Sequence, residues 1–292
     1  SQCLSVMACI DFQTLLREER AKAQLKVPAI DLAWSACDLE QYRLTGVEDV
    51  WYIPEFLTPD QEQQLLQDVN GGTWVSLARR QLQNYGGVPH SKGMLPEPLP
   101  PWLAALCVRV VGEGIFPPEL HPNQALVNSY RDGAGIARHK DGPLFSSRVG
   151  VVSTGSSAVL EFSEASGAVV AAVLLQPRSL LLFDGAAFSH LDHGIREVTE
   201  DIITELCVNK EMCGVSQGDV IARGPAARVS VTIRHVPHVV DVPPSAELDA
   251  EKLARFRVWC AAISEREAAP KAAVASSSAH QRASAILGRL RR

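Results

Sequence analysis

The stretch RVSVTIR, residues 228–234, alternates strictly between polar and apolar side chains. This period of two predicts a β-strand, because successive side chains of a strand point to opposite faces of the sheet. One face carries three branched aliphatic residues, Val229, Val231 and Ile233. The other carries two arginines with two hydroxyl residues between them, Arg228, Ser230, Thr232 and Arg234. The strand is therefore predicted to bury one face in a core and to present a polar face.

The two arginines of this strand are spaced to bind two carboxylates rather than one. At about 3.3 Å per residue, the Cα atoms of Arg228 and Arg234 lie roughly 20 Å apart. Guanidinium groups bind carboxylates bidentately and stay charged. The polar face therefore suits the two ends of a dicarboxylate, although a solvent-exposed strand face would give the same pattern.

A second strand, LVNSY at residues 126–130, repeats the alternation. Asn128 and Tyr130 are two residues apart and share a face. An amide and a phenol can complete the hydrogen bonds of a bound keto acid, although this pair alone is a weak signal.

Strand-like segments follow one another at short spacing, with Gly and Pro turns and little helix between them. This organisation is typical of an antiparallel sandwich or a jelly roll. We therefore expect a mainly β fold of the α+β class. Beyond residues 50–53, the predicted strands are 124–130, 136–141, 148–154, 157–163, 168–175, 179–184, 202–208 and 228–236.

Helices are expected to flank this core. Thr58 is the predicted N-cap of the first, with Pro59 in its first turn and Glu62 completing a capping box. A second helix is expected at about 101–112 and another at 246–266. The last has four large apolar residues on roughly one face, Leu248, Phe256, Trp259 and Ile263.

These patterns divide the chain into three segments. Residues 1–48 form an N-terminal helical extension, residues 49–240 the main domain, and residues 241–292 a C-terminal helix followed by a disordered basic tail rich in Ala and Ser. Within the main domain, residues 71–101 are rich in Gly and Pro. Long structured loops of this kind often hold function.

The sequence HKD at residues 139–141 places His139 and Asp141 on one side of a strand. Two histidines and one carboxylate form a facial metal site that leaves the remaining positions open. The segment FSHLDHGI offers a third ligand in His190 or His193. A His-x-Asp pair also occurs by chance as a solvated strand end, and that alternative stays open on the residues alone.

The composition and net charge limit the kinds of function that the chain can have. The chain has 292 residues, 46% of them hydrophobic and 21% charged, and a formal net charge of −5. Any contact with nucleic acid would therefore depend on a local basic patch. Seven cysteines without a CxxC pair favour a reducing compartment, and no apolar run is long enough for a membrane helix. We expect a monomer of the cytoplasm and nucleus without membrane contact.

Four motifs in this order resemble the AlkB family of Fe(II) and 2-oxoglutarate dependent dioxygenases, namely Asn128-x-Tyr130, His139-x-Asp141, His193-Gly194 and Arg228-x5-Arg234. The resemblance covers about residues 49–240 and is strongest to the group of the sixth mammalian homologue and its plant and algal counterparts. It implies a double-stranded β-helix (jelly roll) core with supporting N-terminal helices and a C-terminal helix. It also implies Fe(II), 2-oxoglutarate and O2 as cofactors. The implied reaction is oxidative demethylation of N-alkylated bases in DNA or RNA, releasing formaldehyde, succinate and CO2.

The resemblance gives each motif residue a role. His139, Asp141 and His193 would bind the iron, and His193 is chosen over His190 because it precedes a Gly-Ile pair. Five residues would bind 2-oxoglutarate, with Arg228, Tyr130 and Ser230 at its distal carboxylate and Asn128 and Arg234 near its metal-chelating end. Ser230 stands where some members have an asparagine, which leaves its contribution less defined.

Residues 71–101 would then form a lid over the substrate. Two kinds of side chain are expected to meet it, namely aromatics that stack on a flipped or single-stranded base and cations that contact phosphates. The candidates are Trp74, Arg79, Arg80, Tyr85 and Lys92 from this segment, with Phe145 and His190, which flank the metal ligands. Ordinary packing is the alternative for each of them.

Two other functions stay open. The same oxygenase chemistry could act on a protein side chain or a small molecule, which the acidic net charge favours. Alternatively, the chain could be a non-catalytic binding module that recruits a protein partner through the helix at 246–266. Complete metal and cosubstrate sets argue against the second alternative.

Overall fold

The computed structural model describes residues 38–90, 92–131, 133–240 and 246–268, and of the side chains in its last helix only those of residues 249–265. Two antiparallel sheets dominate it. In chain order the elements are β1 (Val50–Ile53), α1 (Pro59–Asn70), β2 (Val75–Ser76), β3 (Gln81–Tyr85), β4 (Gly87–His90), β5 (Gly93–Pro96), α2 (Pro101–Gly112), β6 (Gln124–Tyr130), β7 (Ile136–His139), β8 (Val149–Thr154), β9 (Ala158–Ser163), β10 (Val169–Leu175), β11 (Leu180–Phe183), α3 (Gly185–His190), β12 (Asp192–Ile195), β13 (Glu200–Ile202), β14 (Val220–Ala222), β15 (Arg228–Arg234) and α4 (Ala246–Ala268).

The two sheets face each other as the halves of a jelly roll. The larger has the strand order β1-β11-β8-β15-β6-β3-β2, and the smaller has the order β10-β9-β12-β7. Between them lies a core of aliphatic and aromatic side chains that includes Val173, Phe162 and Phe183. Non-consecutive strands are neighbours in both sheets, as in a double-stranded β-helix. The predicted fold class is therefore confirmed.

Strand β15 occupies the middle of the larger sheet, where it pairs with β6 on one side and β8 on the other. Its apolar residues Val229, Val231 and Ile233 pack in a second core beneath helices α1 and α2. Its polar residues consequently face the interior of the jelly roll, as the alternation predicted.

Helices α1 and α2 lie on the outer face of the larger sheet. Thr58 caps α1 as predicted, but Gln61 rather than Glu62 completes the capping box, because Gln61 is the residue three positions after the cap. Glu62 instead accepts hydrogen bonds from the backbone N–H of Gly155 and from Arg178. The helix predicted at 101–112 is confirmed as α2.

Three stretches differ from the predicted strands. The predicted strand 202–208 is wrong, because β13 ends at Ile202 and the following residues turn. Cys207 is buried there by packing on the smaller sheet, where the side chain of Asn209 binds both backbone groups of Leu174 at 2.9 Å. Strand β7 ends at His139, before Asp141. The predicted loop 71–101 contains four short strands, β2 to β5.

Both flanking segments contact the main domain where they are described. Leu44 and Val47, which precede the predicted boundary at residue 49, pack in the core between the sheets. Helix α4 packs against the β3–β4 region. Residues 1–37 of the predicted helical extension, and residues 269–292 of the tail predicted to be disordered, lie outside the described residues. Among the described helices, none is long and apolar enough to cross a membrane.

Candidate active site

A cavity of about 460 Å³ opens between the two sheets, and strands β6, β7, β12 and β15 supply its polar lining. The volume lies in the range of small-molecule and cofactor sites. All eight residues predicted to bind metal or 2-oxoglutarate line it, namely Asn128, Tyr130, His139, Asp141, His193, Arg228, Ser230 and Arg234.

Arg228 is a buried residue of the cavity lining. It stands opposite Tyr130 in the β15–β6 register, with its Cζ atom 5.5 Å from the phenol ring centroid. One guanidinium N–H donates to Ser153 Oγ at 2.9 Å. Burial lowers the pKa of Arg228 to about 10, so the group stays charged at neutral pH. A buried cation of this kind requires an anionic partner.

His139 and His193 form a cross-strand pair between β7 and β12. Their ring centroids are 4.4 Å apart. The two strands approach so closely at the next residue that a Cβ on Gly194 would lie 3.0 Å from the backbone of Arg138. Gly194 is therefore needed for packing, since the absence of a Cβ lets β12 approach β7 and brings His193 against His139.

Both imidazoles are held in the neutral form that binds metals. Burial, followed by the neighbouring His139, lowers the pKa of His193 to about 3. Burial also lowers the pKa of His139, whose Nδ1 lies 2.8 Å from the carbonyl oxygen of Ala137. Because a carbonyl only accepts, Nδ1 carries the proton and Nε2 keeps its lone pair for a metal.

Asp141 lies just beyond the end of β7, where Arg234 donates to its Oδ1 at 2.6 Å. Burial alone would raise the pKa of Asp141, but the charge of Arg234 and the two histidines lower it. The carboxylate is thus ionised beside two neutral imidazoles. Its predicted position on the strand is wrong by two residues, yet the side chain still reaches the cavity.

Four buried polar atoms of this cavity find no hydrogen-bond partner within the described chain, namely Asp141 Oδ2, Asn128 Oδ1, Arg228 Nε and Arg234 Nη2. Buried groups of this kind are normally paired. The two acceptors suit a cation, and the two guanidinium donors suit carboxylates. Across the described residues, no three His, Cys, Asp or Glu side chains already converge as a metal cluster. The two histidines are in contact with each other, whereas the Asp141 carboxylate is engaged by Arg234.

Gln124 was missed by the sequence predictions. Its side chain accepts from Arg234 Nε and donates to Asn84 Oδ1, both at 3.0 Å. Gln124 thus links a residue of β3 to the arginine that holds Asp141. The signal was present, because Gln124 precedes Asn128 and Tyr130 on β6 at even spacing and shares their face.

Two of the seven predicted substrate-side residues line the cavity. Arg80 is buried in its wall, and its positive charge contributes to the lowered pKa of His139. Phe145 lies under the guanidinium of Arg234, at 3.9 Å from Cζ to the ring centroid.

The two predicted stacking aromatics do not line the cavity. Tyr85 makes an edge-to-face contact with Trp102, with centroids 5.7 Å apart, and donates its hydroxyl hydrogen to Gln83. Trp74 packs on the same core beneath the helices. Alternation along β3 explains Tyr85, because Leu82 and Asn84 occupy the inward positions.

The remaining three candidates also lie away from the cavity lining. Arg79 forms an ion pair with Glu197. Lys92 is exposed beside the β4–β5 turn. His190 is exposed because it ends the short helix α3 rather than a strand.

The C-terminal helix supplies lining residues that were not predicted. Trp259 and Ile263 of α4 line the same cavity as the histidines and arginines. Their positions on the apolar face of α4 were visible in the sequence, but that pattern does not indicate which part of the molecule the face covers.

Known proteins are similar to this chain in sequence. A profile of the 2OG-Fe(II) oxygenase superfamily matches residues 73–234. A Danio rerio protein named "Probable RNA/DNA demethylase ALKBH6" is 36% identical over 219 residues, which cover 70% of this chain and 92% of that protein. An Arabidopsis thaliana protein named "Alkylated DNA repair protein ALKBH8 homolog" is 28% identical over 222 residues, which cover 65% of this chain and 59% of that protein.

A solved structure is also similar. The one described as "The structure of OsALKBH1" aligns with a TM-score of 0.46 and 16% identity, covering 64% of this chain and 98% of that chain.

Proposed function

The chain belongs to the 2OG-Fe(II) oxygenase superfamily, and from that premise we propose that it demethylates N-alkylated bases in DNA or RNA. The family uses Fe(II), 2-oxoglutarate and O2. When bound, these cofactors supply an oxidation that hydroxylates an N-methyl carbon, so that formaldehyde, succinate and CO2 are released.

The donor set of the cavity fits these cofactors. We assign iron to His139, Asp141 and His193, since two neutral imidazoles and one ionised carboxylate are the facial set of non-haem iron(II) oxygenases. The distal carboxylate of 2-oxoglutarate is assigned to Arg228 with Tyr130 and Ser230. Its other end is assigned to Asn128 and Arg234, each of which has an unpartnered buried atom among the described residues.

The protein's own contribution is to order charge in the cavity. Arg228 would neutralise one end of the cosubstrate, while Arg234 contacts Asp141 and would face the chelating end. Because Gln124 holds Arg234 from behind, this arginine is fixed before substrate arrives. No protein nucleophile is required, since the cofactors carry the chemistry.

The observation that carries the nucleobase proposal is the size and lining of the cavity. Beyond the assigned cofactor residues, it continues past Arg80 and Met94 to the indole of Trp259. A cation and an aromatic wall suit an unpaired base with its adjoining phosphate. The curated relatives at 36% and 28% identity are named for action on nucleic acid, which supports the same substrate class.

The test is mass-spectrometric loss of methyl groups from a panel of N-methylated single-stranded DNA and RNA oligonucleotides, with succinate measured in parallel. Asp141→Asn is the site variant. Asp192→Asn is the matched control, because this carboxylate adjoins His193 but pairs with Lys140 and does not line the cavity.

Methyl loss by the wild type and by Asp192→Asn, but not by Asp141→Asn, is the expected result. Succinate release without methyl loss from any oligonucleotide would instead favour a protein or small-molecule substrate, in line with the net charge of −5. Release of neither product would favour the binding-module alternative.

A further inference from the structure

Helix α4 is anchored to the main domain by its own apolar face. Cys260 and Ile263 are 8% and 7% exposed, and they pack with Leu82 of β3 and Leu126 of β6. Leu126 stands on the inward face of β6, the face that also carries Asn128. The helix therefore covers one side of the open end of the jelly roll.

Trp259 stands at the edge of this anchored face and lines the cavity. Its indole is partly exposed and lies beside the ring of Phe256, with centroids 5.9 Å apart and planes tilted by 36°. Phe256 in turn packs on Val88 and Leu95. The indole is thus supported from within the domain while part of its surface stays accessible.

The other aromatic rings described along the cavity are already engaged. Tyr130 and Phe145 each have an arginine guanidinium over the ring, at 5.5 and 3.9 Å respectively. Phe183 is 1% exposed and lies 5.0 Å from His193. With Trp74 and Tyr85 packed elsewhere, Trp259 is the remaining ring of the described cavity that can offer a face to a ligand.

We propose that α4 is the substrate-side wall of the active site and that a nucleobase stacks on Trp259. This inference rests on the proposed function, because it identifies the surface that receives the base. It places a substrate-binding residue outside the matched family region, which ends at residue 234. An indole suits the role, since every base has a π-face and stacking on an aromatic tolerates different bases.

The experiment measures binding rather than turnover. The full chain, loaded with Fe(II) and 2-oxoglutarate in anaerobic buffer, is titrated into two labelled single-stranded oligonucleotides. One carries a single N-methylated base, and the other carries an abasic site at the same position. The difference between their affinities isolates the contribution of the base from that of the phosphates.

Three variants complete the design. Trp259→Ala is expected to weaken binding of the methylated oligonucleotide by about 10- to 100-fold and to leave the abasic one unchanged. Trp259→Phe keeps an aromatic ring and should retain most of the affinity. Val258→Ala, at a neighbouring position that is 70% exposed, should bind both oligonucleotides like the wild type.

Two outcomes overturn the inference and can be told apart. If Trp259→Ala binds the methylated oligonucleotide as tightly as the wild type does, the base lies elsewhere while the nucleic-acid substrate stands. If the wild type itself does not distinguish the methylated from the abasic strand, the proposed substrate fails and the stacking role fails with it. Melting temperatures of the variants are measured in parallel. A variant that binds weakly but melts like the wild type has lost the stacking surface and not the fold.

Discussion

The walls of the jelly roll and the elements that cover its open end obey different rules. On β6 and β15, every second residue faces the cavity, so alternation alone identifies the lining. The cover consists of the connection between β2 and β3, the β4–β5 hairpin and α4, which lie outside the two large sheets. There, the two residues of a neighbouring pair such as Arg79 and Arg80 have unrelated surroundings.

This difference separates the cofactor site from the substrate site. Residues that would hold iron and 2-oxoglutarate lie on or directly after strands of the two sheets, whereas the substrate-side residues come from the cover. Changes in the walls should therefore impair turnover or cosubstrate binding, and changes at the cavity-lining residues of the cover should alter the response to substrate.

The strongest challenge to a wall is Asp141→Asn, which should reduce succinate formation at least ~100-fold because it removes the anionic iron ligand. The amide still accepts a hydrogen bond from Arg234, so the protein should stay folded. Asp141→Ala is different, since it leaves the Arg234 guanidinium buried without its carboxylate and should lower the free energy of unfolding by about 3–5 kcal/mol. Succinate assays and thermal melts of both variants check this, and wild-type turnover in Asp141→Asn would refute the iron site.

Arg228→Lys tests the other wall of the cavity, which the larger sheet supplies. Lysine keeps the charge but loses the planar fork, so the 2-oxoglutarate concentration for half-maximal succinate release should rise roughly 10-fold or more. Affinity for the oligonucleotide should not change, because Arg228 is 5% exposed and is assigned to the cosubstrate. Arg196→Lys, on a 51% exposed side chain, is the control. An unaltered requirement in Arg228→Lys would remove this residue from the cosubstrate site.

Within the cover, Arg80→Gln and Arg79→Gln form a neighbouring pair with opposite expectations. Arg80 is buried in the cavity wall, so its loss should raise the oligonucleotide concentration for half-maximal demethylation by about 10-fold. Arg79 is in a surface ion pair, and its loss should change that concentration less than about 2-fold. Equal effects from the two variants would mean that the cover binds nucleic acid by general charge only.

The smallest effect is expected from Tyr85→Phe. It removes the hydrogen bond to Gln83 and should lower the free energy of unfolding by about 0.5–1.5 kcal/mol, as measured by urea denaturation. Kinetics of demethylation should be unchanged, since the ring packs on Trp102 away from the cavity. If Tyr85→Phe raised the oligonucleotide concentration for half-maximal demethylation, Tyr85 would contact the substrate, as predicted from the sequence.

The fold and the cofactor site could be predicted because both depend on a period of two. Alternation in 228–234 identified Arg228 and Arg234 as inward residues, and the structure brings both to the cavity. The same rule would have found Gln124. It failed at Asp141, which reaches the site from the residues after a strand, where no period applies.

Packing between elements was the part that could not be predicted. Trp74 and Tyr85 have the chemistry of stacking residues, and only their contacts with the helix-side core exclude that role. Trp259 looked like an ordinary apolar helix position until α4 was seen over the cavity. The cytoplasmic and nuclear location, the monomeric state and a protein partner for α4 stay predictions.

The pairing of β1 with β11 has a consequence for how the protein is made. Val50 of β1 lies opposite Phe183 of β11. The backbone groups of β1 can therefore pair only after most of the domain has left the ribosome. Such distant pairing slows folding and prolongs exposure of apolar strands. His139 on β7 precedes β11 and His193 on β12 follows it, Arg228 and Arg234 on β15 come later, and α4 emerges after all of them. The residues assigned to the cofactors therefore leave the ribosome before the helix that lines the substrate side of the cavity.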